Sequence, residues 1–458
     1  MKQSCSYLFK FKPHCFSMKN LAILLFLAPF LSWAQFPIGS RTITYNDPAR
    51  SDRAVECEIY YPGVSVGSNV AAASGTFPVI VFGHGFAMQV GAYPNWREEF
   101  VPEGYIMVFP TTEGGFLSPN HGEFGNDLQF LVNKMQSEGN NNASPFYQHV
   151  SDRSAIMGHS MGGGATVLAA SNFSGVDCIV GLAPAETDPS AIAAAINVSA
   201  PAMILSGSSD GVTPPADHHI PIYDALGSDC KYFVSIENGS HCYFASNTVT
   251  CTLGEIIPGS LDAEAQRQVS YAVCKPWFAY FLKDDCDAWD DFQTALNTET
   301  DLGTINSECT VTAPMIGDNG GTLESDQQPN YQWYLNGNEI PNADQQAFAY
   351  SQSGTYQVGT IILGNCPTLS NEIVVQITGI VEPELTLNPT GSGLLLSTRD
   401  ELDEVTIEWF DLSGKLVDMD AIGRIPSQGS LSLQKPFFTG VKLLRIRSRQ
   451  ATRTWKLY

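Results

Sequence analysis

The sequence predicts an α/β protein: a mostly parallel sheet with helices on both faces, followed by two small all-β sandwich domains. Three observations carry this expectation. Short, continuous apolar runs recur through the first three hundred residues with helical patterns between them, as buried parallel strands and their crossovers require. One such run, Ala155 to Met157, leads into Gly158-His159-Ser160-Met161-Gly162, a spacing that puts a serine on a sharp strand-to-helix turn. Beyond Cys309 the helical period disappears and short strands bounded by turn residues take over.

The elements follow in order. Lys2, Lys10, Lys12 and Lys19 precede an uncharged run from Leu21 to Trp33 that ends in Ser32-Trp33-Ala34, the pattern of a secretory signal peptide over residues 1–34. The run is shorter than the roughly 20 apolar residues of a membrane span and contains Pro29. Cleavage after Ala34 would remove Cys5 and Cys15 from the 11 cysteines and leave the rest to fold in an oxidising compartment. Arg41 to Tyr45 and Glu56 to Pro62 alternate as two half-exposed strands, with Asp47-Pro48 and Ser51-Asp52 at the turn between them. Phe77 to Phe82 is a buried strand that stops at Gly83-His84-Gly85-Phe86, and Tyr105 to Phe109 is the next. Leu128, Leu131, Val132 and Met135 share one helical face. Val176 to Leu182, Ala202 to Leu205 and Lys231 to Ile236 complete the strands.

The chemistry gathers where these runs end. Gly158 and Gly162 flank Ser160, where any Cβ would collide with a neighbouring strand or helix, and a helix N-terminus behind the serine points free N–H groups at developing negative charge. Asp210 lies just past the strand Ala202 to Leu205, and His241 just past Lys231 to Ile236, giving the chain order Ser160, Asp210, His241. In that reading His241 takes the serine proton, and Asp210 holds the imidazole tautomer; Asp217 and Asp224 stay open as alternative acids. The backbone N–H groups of Phe86 and Met161 are the candidate oxyanion donors. His84 and His159 lie inside the two motifs as lining or supporting rings, His218 and His219 follow the acid, and His121 and His149 read as surface loop residues. No HExxH and no paired-cysteine zinc spacing is present, so neither a metal nor a cofactor is expected.

Charge narrows the partners. Asp and Glu outnumber Lys and Arg 47 to 24, a net charge of −23. Such a surface repels nucleic acid and anionic membranes and favours a neutral substrate.

Together, Gly158-His159-Ser160-Met161-Gly162-Gly163-Gly164, Gly83-His84-Gly85-Phe86, the loop from Asp210 through Ile220-Pro221-Ile222-Tyr223, and Gly239-Ser240-His241 resemble the secreted cutinase-like and polyester-hydrolase branch of the α/β-hydrolases over residues 36 to about 309. Chlorophyllase-type and dienelactone-hydrolase-like esterases are its neighbours. The resemblance implies the α/β-hydrolase fold, a Ser-His-Asp triad and a neutral, possibly polymeric, ester substrate. Phe86 matches one half of the family's aromatic substrate clamp, His159 adds a second contact, and Ala185 stands where the clamp's tryptophan is expected. The family's C-terminal disulfide has a counterpart in Cys286 with Cys309. Cys242 with Cys251 would close a loop directly after His241, leaving Cys57 and Cys178 as buried thiols.

Two further resemblances divide the chain into a catalytic domain over 35–309, a module over 310–380 and a tail over 381–458. Tyr331 to Gly337 and Ser353 to Val358 resemble a bacterial immunoglobulin-like module, with Trp333 in its core and Tyr356 near a strand corner. Leu387-Asn388-Pro389, Asp411-Leu412-Ser413-Gly414, Thr439-Gly440-Val441 and the end at Tyr458 resemble the sorting domain of type IX secretion, which implies passage across the outer membrane and then release or attachment to the cell surface. The expected activity is that of a monomeric, secreted serine carboxylic-ester hydrolase. An amidase or peptidase with the same triad, or an adhesive protein using the immunoglobulin-like module, are the alternatives.

Overall fold

The structure, a computed structural model, describes residues 35–247, 249–309, 311–377, 385–390, 393–411, 414–434, 442–449 and 452–457. The signal-peptide reading of 1–34, and the Val381 to Glu384 and Thr439 to Val441 stretches, lie outside the described residues. Two compact units are present, Met1–Lys275 with Ala295–Ser307 and Pro276–Thr294 with Glu308–Tyr458.

A ten-stranded mixed sheet dominates the first unit. Its strands are β1 (Ile38–Asp47), β2 (Arg53–Pro62), β3 (Gly67–Ser68), β4 (Phe77–Gly83), β5 (Ile106–Pro110), β6 (Val150–His159), β7 (Cys178–Leu182), β8 (Ala202–Gly207), β9 (Cys230–Ile236) and β10 (Leu302–Cys309). They lie in the order β10-β9-β8-β7-β6-β4-β5-β2-β1-β3. From β9 to β5 neighbours run parallel, whereas β2 pairs antiparallel with β5 and with β1. Burial explains the division. Every residue of β4, β5, β7, β8 and β9 is buried, as continuous apolar strands covered on both faces must be, while β2 alternates between buried and open positions.

Helices α1 (Pro94–Phe100), α2 (His121–Asn140), α3 (Met161–Ala170), α4 (Ala191–Ala195) and α5 (His219–Ala225) make the crossovers. Asn120 caps α2 by accepting the N–H of Glu123, and Phe124 joins Leu128, Leu131, Val132 and Met135 on the buried face. That helix is fastened to the sheet through the buried carboxylate of Asp127. Asp127, fully buried, accepts two bonds from the Arg53 guanidinium at 2.9 and 2.7 Å and one from Thr112 Oγ1 at 2.7 Å, with Arg50 Nη2 also 2.7 Å away. Asp127 therefore joins α2 to the turn between β1 and β2.

Among the described residues of the second unit, antiparallel strands form four small sheets. Trp333 is fully buried there with Tyr356, Val358 and Leu323, and its indole donates to Gln345 O at 2.8 Å. The Tyr356 hydroxyl donates to Gln352 O at 3.0 Å, four residues upstream, which pins the chain at the start of strand Gly354–Leu363. A separate core gathers Leu396, Leu402, Ile407, Trp409, Leu444 and Ile446.

The disulfides correct one expectation. Cys286 pairs with Cys366, with Cα atoms 5.4 Å apart, and not with Cys309. The reason is local packing: Tyr280, on the helix that ends at Lys283 just before Cys286, donates to Leu363 O at 3.0 Å, so the turn at Gly364 brings Cys366 to this place. Cys309 ends β10 and is bonded to another cysteine. Cys242 is joined to Cys251, and Cys57, Cys178 and Cys274 are buried thiols.

Replacing Asp127 by Ala leaves Arg53 partly buried without its main carboxylate. The variant is expected to lose about 3–5 kcal/mol of stability in urea unfolding.

Candidate active site

Ser160 stands at the junction of β6 and α3 with φ 56° and ψ −119°, a conformation that costs a non-glycine residue about 1–3 kcal/mol. Glycines on either side make room for it. A Cβ on Gly158 would run into the Gly162 carbonyl, and a Cβ on Gly162 would run into that of Gly83 at the end of β4. The serine N–H donates to Leu182 O at 2.9 Å, while its carbonyl accepts from Gly164 and Ala185. Both backbone groups of Ser160 are thus occupied, and its side chain lines the cleft described below.

The other two candidates reach it from the ends of β8 and β9. His241 Nε2 is 2.9 Å from Ser160 Oγ, and His241 Nδ1 is 2.7 Å from Asp210 Oδ2. Asp210 Oδ1 accepts the N–H groups of Val212 and Thr213 at 2.9 and 2.8 Å. Burial pushes this carboxyl's pKa up, yet its bond to His241 and the nearby imidazoles outweigh burial and hold it below the usual range. Asp217 and Asp224 are exposed, so Asp210 is the carboxylate at the imidazole.

His241 is secured at its backbone as well as its ring. Glu255, buried, accepts the N–H of His241 at 2.6 Å through Oε1 and that of Cys242 at 3.0 Å through Oε2. The Cys242–Cys251 bridge, with Cα atoms 5.6 Å apart, closes the loop that delivers this carboxylate. On the opposite side His159 Nε2 lies 2.9 Å from His241 O and its Nδ1 3.0 Å from Tyr93 Oη, which in turn accepts the Gly85 N–H at 2.8 Å. Burial, reinforced by His241, pushes the His159 pKa down to about 3, so the ring is neutral and carries one proton. His159 therefore connects the Gly83 to Phe86 loop with the His241 backbone rather than presenting itself to a ligand.

A cleft of about 410 Å³ opens over Ser160, lined by Phe86, Phe116, His121, Met161, Ala185 and Thr187 among others. Phe86 and Phe116 meet edge to face, 6.4 Å between centroids at 87°, and both are largely exposed. Met161 is the first residue of α3, so its N–H has no partner within the helix and is available at the cleft. His121, expected on a surface loop, instead opens α2 and lines the cleft; its Nδ1 accepts the N–H of Asp188 at 3.1 Å. His84 is buried between Gly85 O and Thr112 O, His218 accepts the N–H of Glu186, and His149 sits by Gly75 O. His219 is fully buried behind Asp210. Sequence reasoning did not reach Glu255, Tyr93, Thr213 or Phe116, because none belongs to a motif and each is brought in by a loop. Phe116-Leu117, an apolar pair between Gly115 and Ser118, was the one available signal. Among the described residues no cluster of His, Cys, Asp and Glu could hold a metal.

The buried rings make a prediction about acid. His159 and His219 both titrate near 3, against an ordinary 6.5, chiefly through burial. Between those values the unfolded chain binds protons that the folded chain refuses, so stability falls as pH drops from 6.5 towards 3. Each ring contributes a slope of up to about 1.4 kcal/mol per pH unit, to be read from urea midpoints across that range.

Relatives of known activity share this region. The chain is 25% identical over 200 residues to a bis(hydroxyethyl) terephthalate hydrolase of Streptomyces coelicolor, covering 43% of this chain and 58% of that protein. It is 23% identical over 199 residues to cutinase est1 of Thermobifida alba, covering 43% and 60%, and 31% identical over 106 residues to cutinase 1 of Thermobifida cellulosilytica, covering 23% and 38%. The chain thus spans about 60% of the length of the first two of these relatives, at most. Residues 50–257 match the family model described as PET hydrolase-like, and the chain carries a hydrolase domain similar to PET hydrolases and cutinases.

Proposed function

We propose that the chain is a secreted serine hydrolase of neutral carboxylic esters, polymeric ones included, acting through an acyl-enzyme. The observation that carries the reading is the unbroken line from Ser160 Oγ through His241 to Asp210, at the head of a helix and under an open cleft with aromatic walls. His241 removes the proton from Ser160 as its oxygen attacks the ester carbonyl; Asp210 stabilises the imidazolium so formed. The N–H groups of Phe86 and Met161 receive the oxyanion. His241 next protonates the leaving alcohol and then activates the water that frees the acid.

The cleft favours a flat or aromatic acyl group. Ala185 leaves open the space that a tryptophan would fill, and Phe116 offers a second ring at right angles to Phe86, so two aromatic surfaces still border the serine. The names of the relatives point the same way, towards terephthalate esters and cutin. For the remaining chain the reading is a catalytic domain over 35–309, an immunoglobulin-like spacer over 310–380 and a type IX sorting tail over 381–458. The buried Trp333 and the Tyr356 corner support the spacer.

Initial rates of the purified protein on p-nitrophenyl esters and on a polyester film test the proposal. Ser160→Ala is expected to lower kcat by about a million-fold. Hydrolysis of amides but not esters would replace the reading with an amidase. Phe116→Ala is expected to raise KM about tenfold for an aromatic ester and to leave a short aliphatic ester almost unaffected, since one buried ring face is worth about 0.5–1.5 kcal/mol.

A further inference from the structure

Around Asp210 lies a second set of buried polar side chains that the reaction described above does not use. Thr213 Oγ1 is 3.1 Å from Asp210 Oδ2 and 2.9 Å from His241 Nδ1, so a single hydroxyl touches both acid and base. The same oxygen is 2.9 Å from His219 Nε2, and His219 Nδ1 is 2.8 Å from Ser206 Oγ. His219 itself stands 3.7 Å from Asp210 Oδ2, beyond hydrogen-bond reach, so its hydrogen bonding reaches the carboxylate through Thr213. Ser206 and His219 are fully buried, and Asp210 and Thr213 are 5% exposed.

We infer that Ser206, His219 and Thr213 form a directed hydrogen-bond chain in which Thr213 and His219 are positioning residues that hold Asp210 in line with His241. The inference rests on the hydrolase reading. Counting protons sets the direction. With its proton on Nε2, His219 donates to Thr213 Oγ1 and accepts at Nδ1 from the Ser206 hydroxyl. Thr213 then has one hydrogen to give, and Asp210 Oδ2 at 3.1 Å is nearer than Ala183 O at 3.3 Å. The opposite tautomer would turn the Thr213 hydrogen towards His219, away from the carboxylate, and would leave the Ser206 hydrogen facing no acceptor in a buried site, at a cost of about 1–3 kcal/mol.

The arrangement gives Asp210 a full set of donors: two backbone N–H groups on Oδ1, the imidazole and the Thr213 hydroxyl on Oδ2. A carboxylate held at both oxygens cannot swing when His241 gains and loses its proton. Burial keeps His219 neutral, which removes a competing positive charge from beside the acid while preserving its N–H. Ser206 lies within β8 and His219 opens α5, so both residues are rooted in regular structure. The loop that carries Asp210 is thereby braced from within.

The test is kinetic and spectroscopic, on the purified full chain. Thr213→Val is expected to lower kcat for a p-nitrophenyl ester about ten- to a hundred-fold at unchanged KM, with Thr213→Ser restoring most of it. His219→Gln, which can still donate to Thr213, is expected to retain more activity than His219→Leu. The low-field proton resonance of the His241 Nδ1–H bonded to Asp210 should shift in Thr213→Val and His219→Leu and recover in the conservative variants. A merely structural role would change thermal stability without moving that resonance or separating kcat from KM. Should Thr213→Val not fold, Ser206→Ala supplies the same comparison by releasing the His219 tautomer, with a several-fold loss of kcat expected. Wild-type kcat and an unmoved resonance in the folded variants would overturn the inference while leaving the hydrolase intact. Absence of ester hydrolysis by the unaltered protein would strike the hydrolase reading instead.

Discussion

The close approach of three backbones, at Gly83, Gly158 and Gly162, is the constraint on which the rest depends. Two parallel strands and a helix start meet with no room for a side chain between them. That contact forces the chain at Ser160 into its positive φ, and the resulting strain is offset by the hydrogen bonds that Leu182, Gly164 and Ala185 make to the serine backbone. Because the same contact fixes the end of β4, it also fixes where Gly85 and Phe86 begin their loop. The candidate nucleophile and oxyanion donors are therefore set by one piece of packing.

The candidate base is held by a different principle. His241 belongs to a loop, and a loop has no lattice of strand partners to define it. Here the protein substitutes polar anchors, Glu255 on two successive N–H groups and His159 on the carbonyl, and adds a disulfide that closes the loop between His241 and Glu255. All three act on the main chain, which leaves the ring free to face Ser160 on one edge and Asp210 on the other. A buried carboxylate without such partners would be costly. Two backbone donors make its presence beneath the imidazole intelligible.

Much of this was legible in the residues because the strands are short, apolar and fully buried, and because glycine spacing at Ser160 reports a steric fact. The runs at Phe77, Ala155, Ala202 and Lys231 each correspond to a strand, and Asp210 and His241 lie just past the last two of them. What sequence could not give were contacts made across loops. Glu255 is one acidic residue among many, and only the fold brings it under His241. Phe116 sits in a glycine-rich stretch whose course no periodicity describes. The partner of Cys286 escapes the sequence for the same reason: the family resemblance implies Cys309, whereas the Tyr280 to Leu363 contact selects Cys366. His159 and His219 look alike as letters, yet each owes its neutrality to burial that composition does not report.

The Cys286–Cys366 bridge links residues 80 positions apart. Within the covalent ring so closed lie the helix Ala288–Thr298, β10, which is one edge strand of the large sheet, and the segment containing Trp333. A protease that cut the chain anywhere inside that ring would not release a fragment. The pieces on either side of the nick would remain one molecule, and the break would become visible only after reduction.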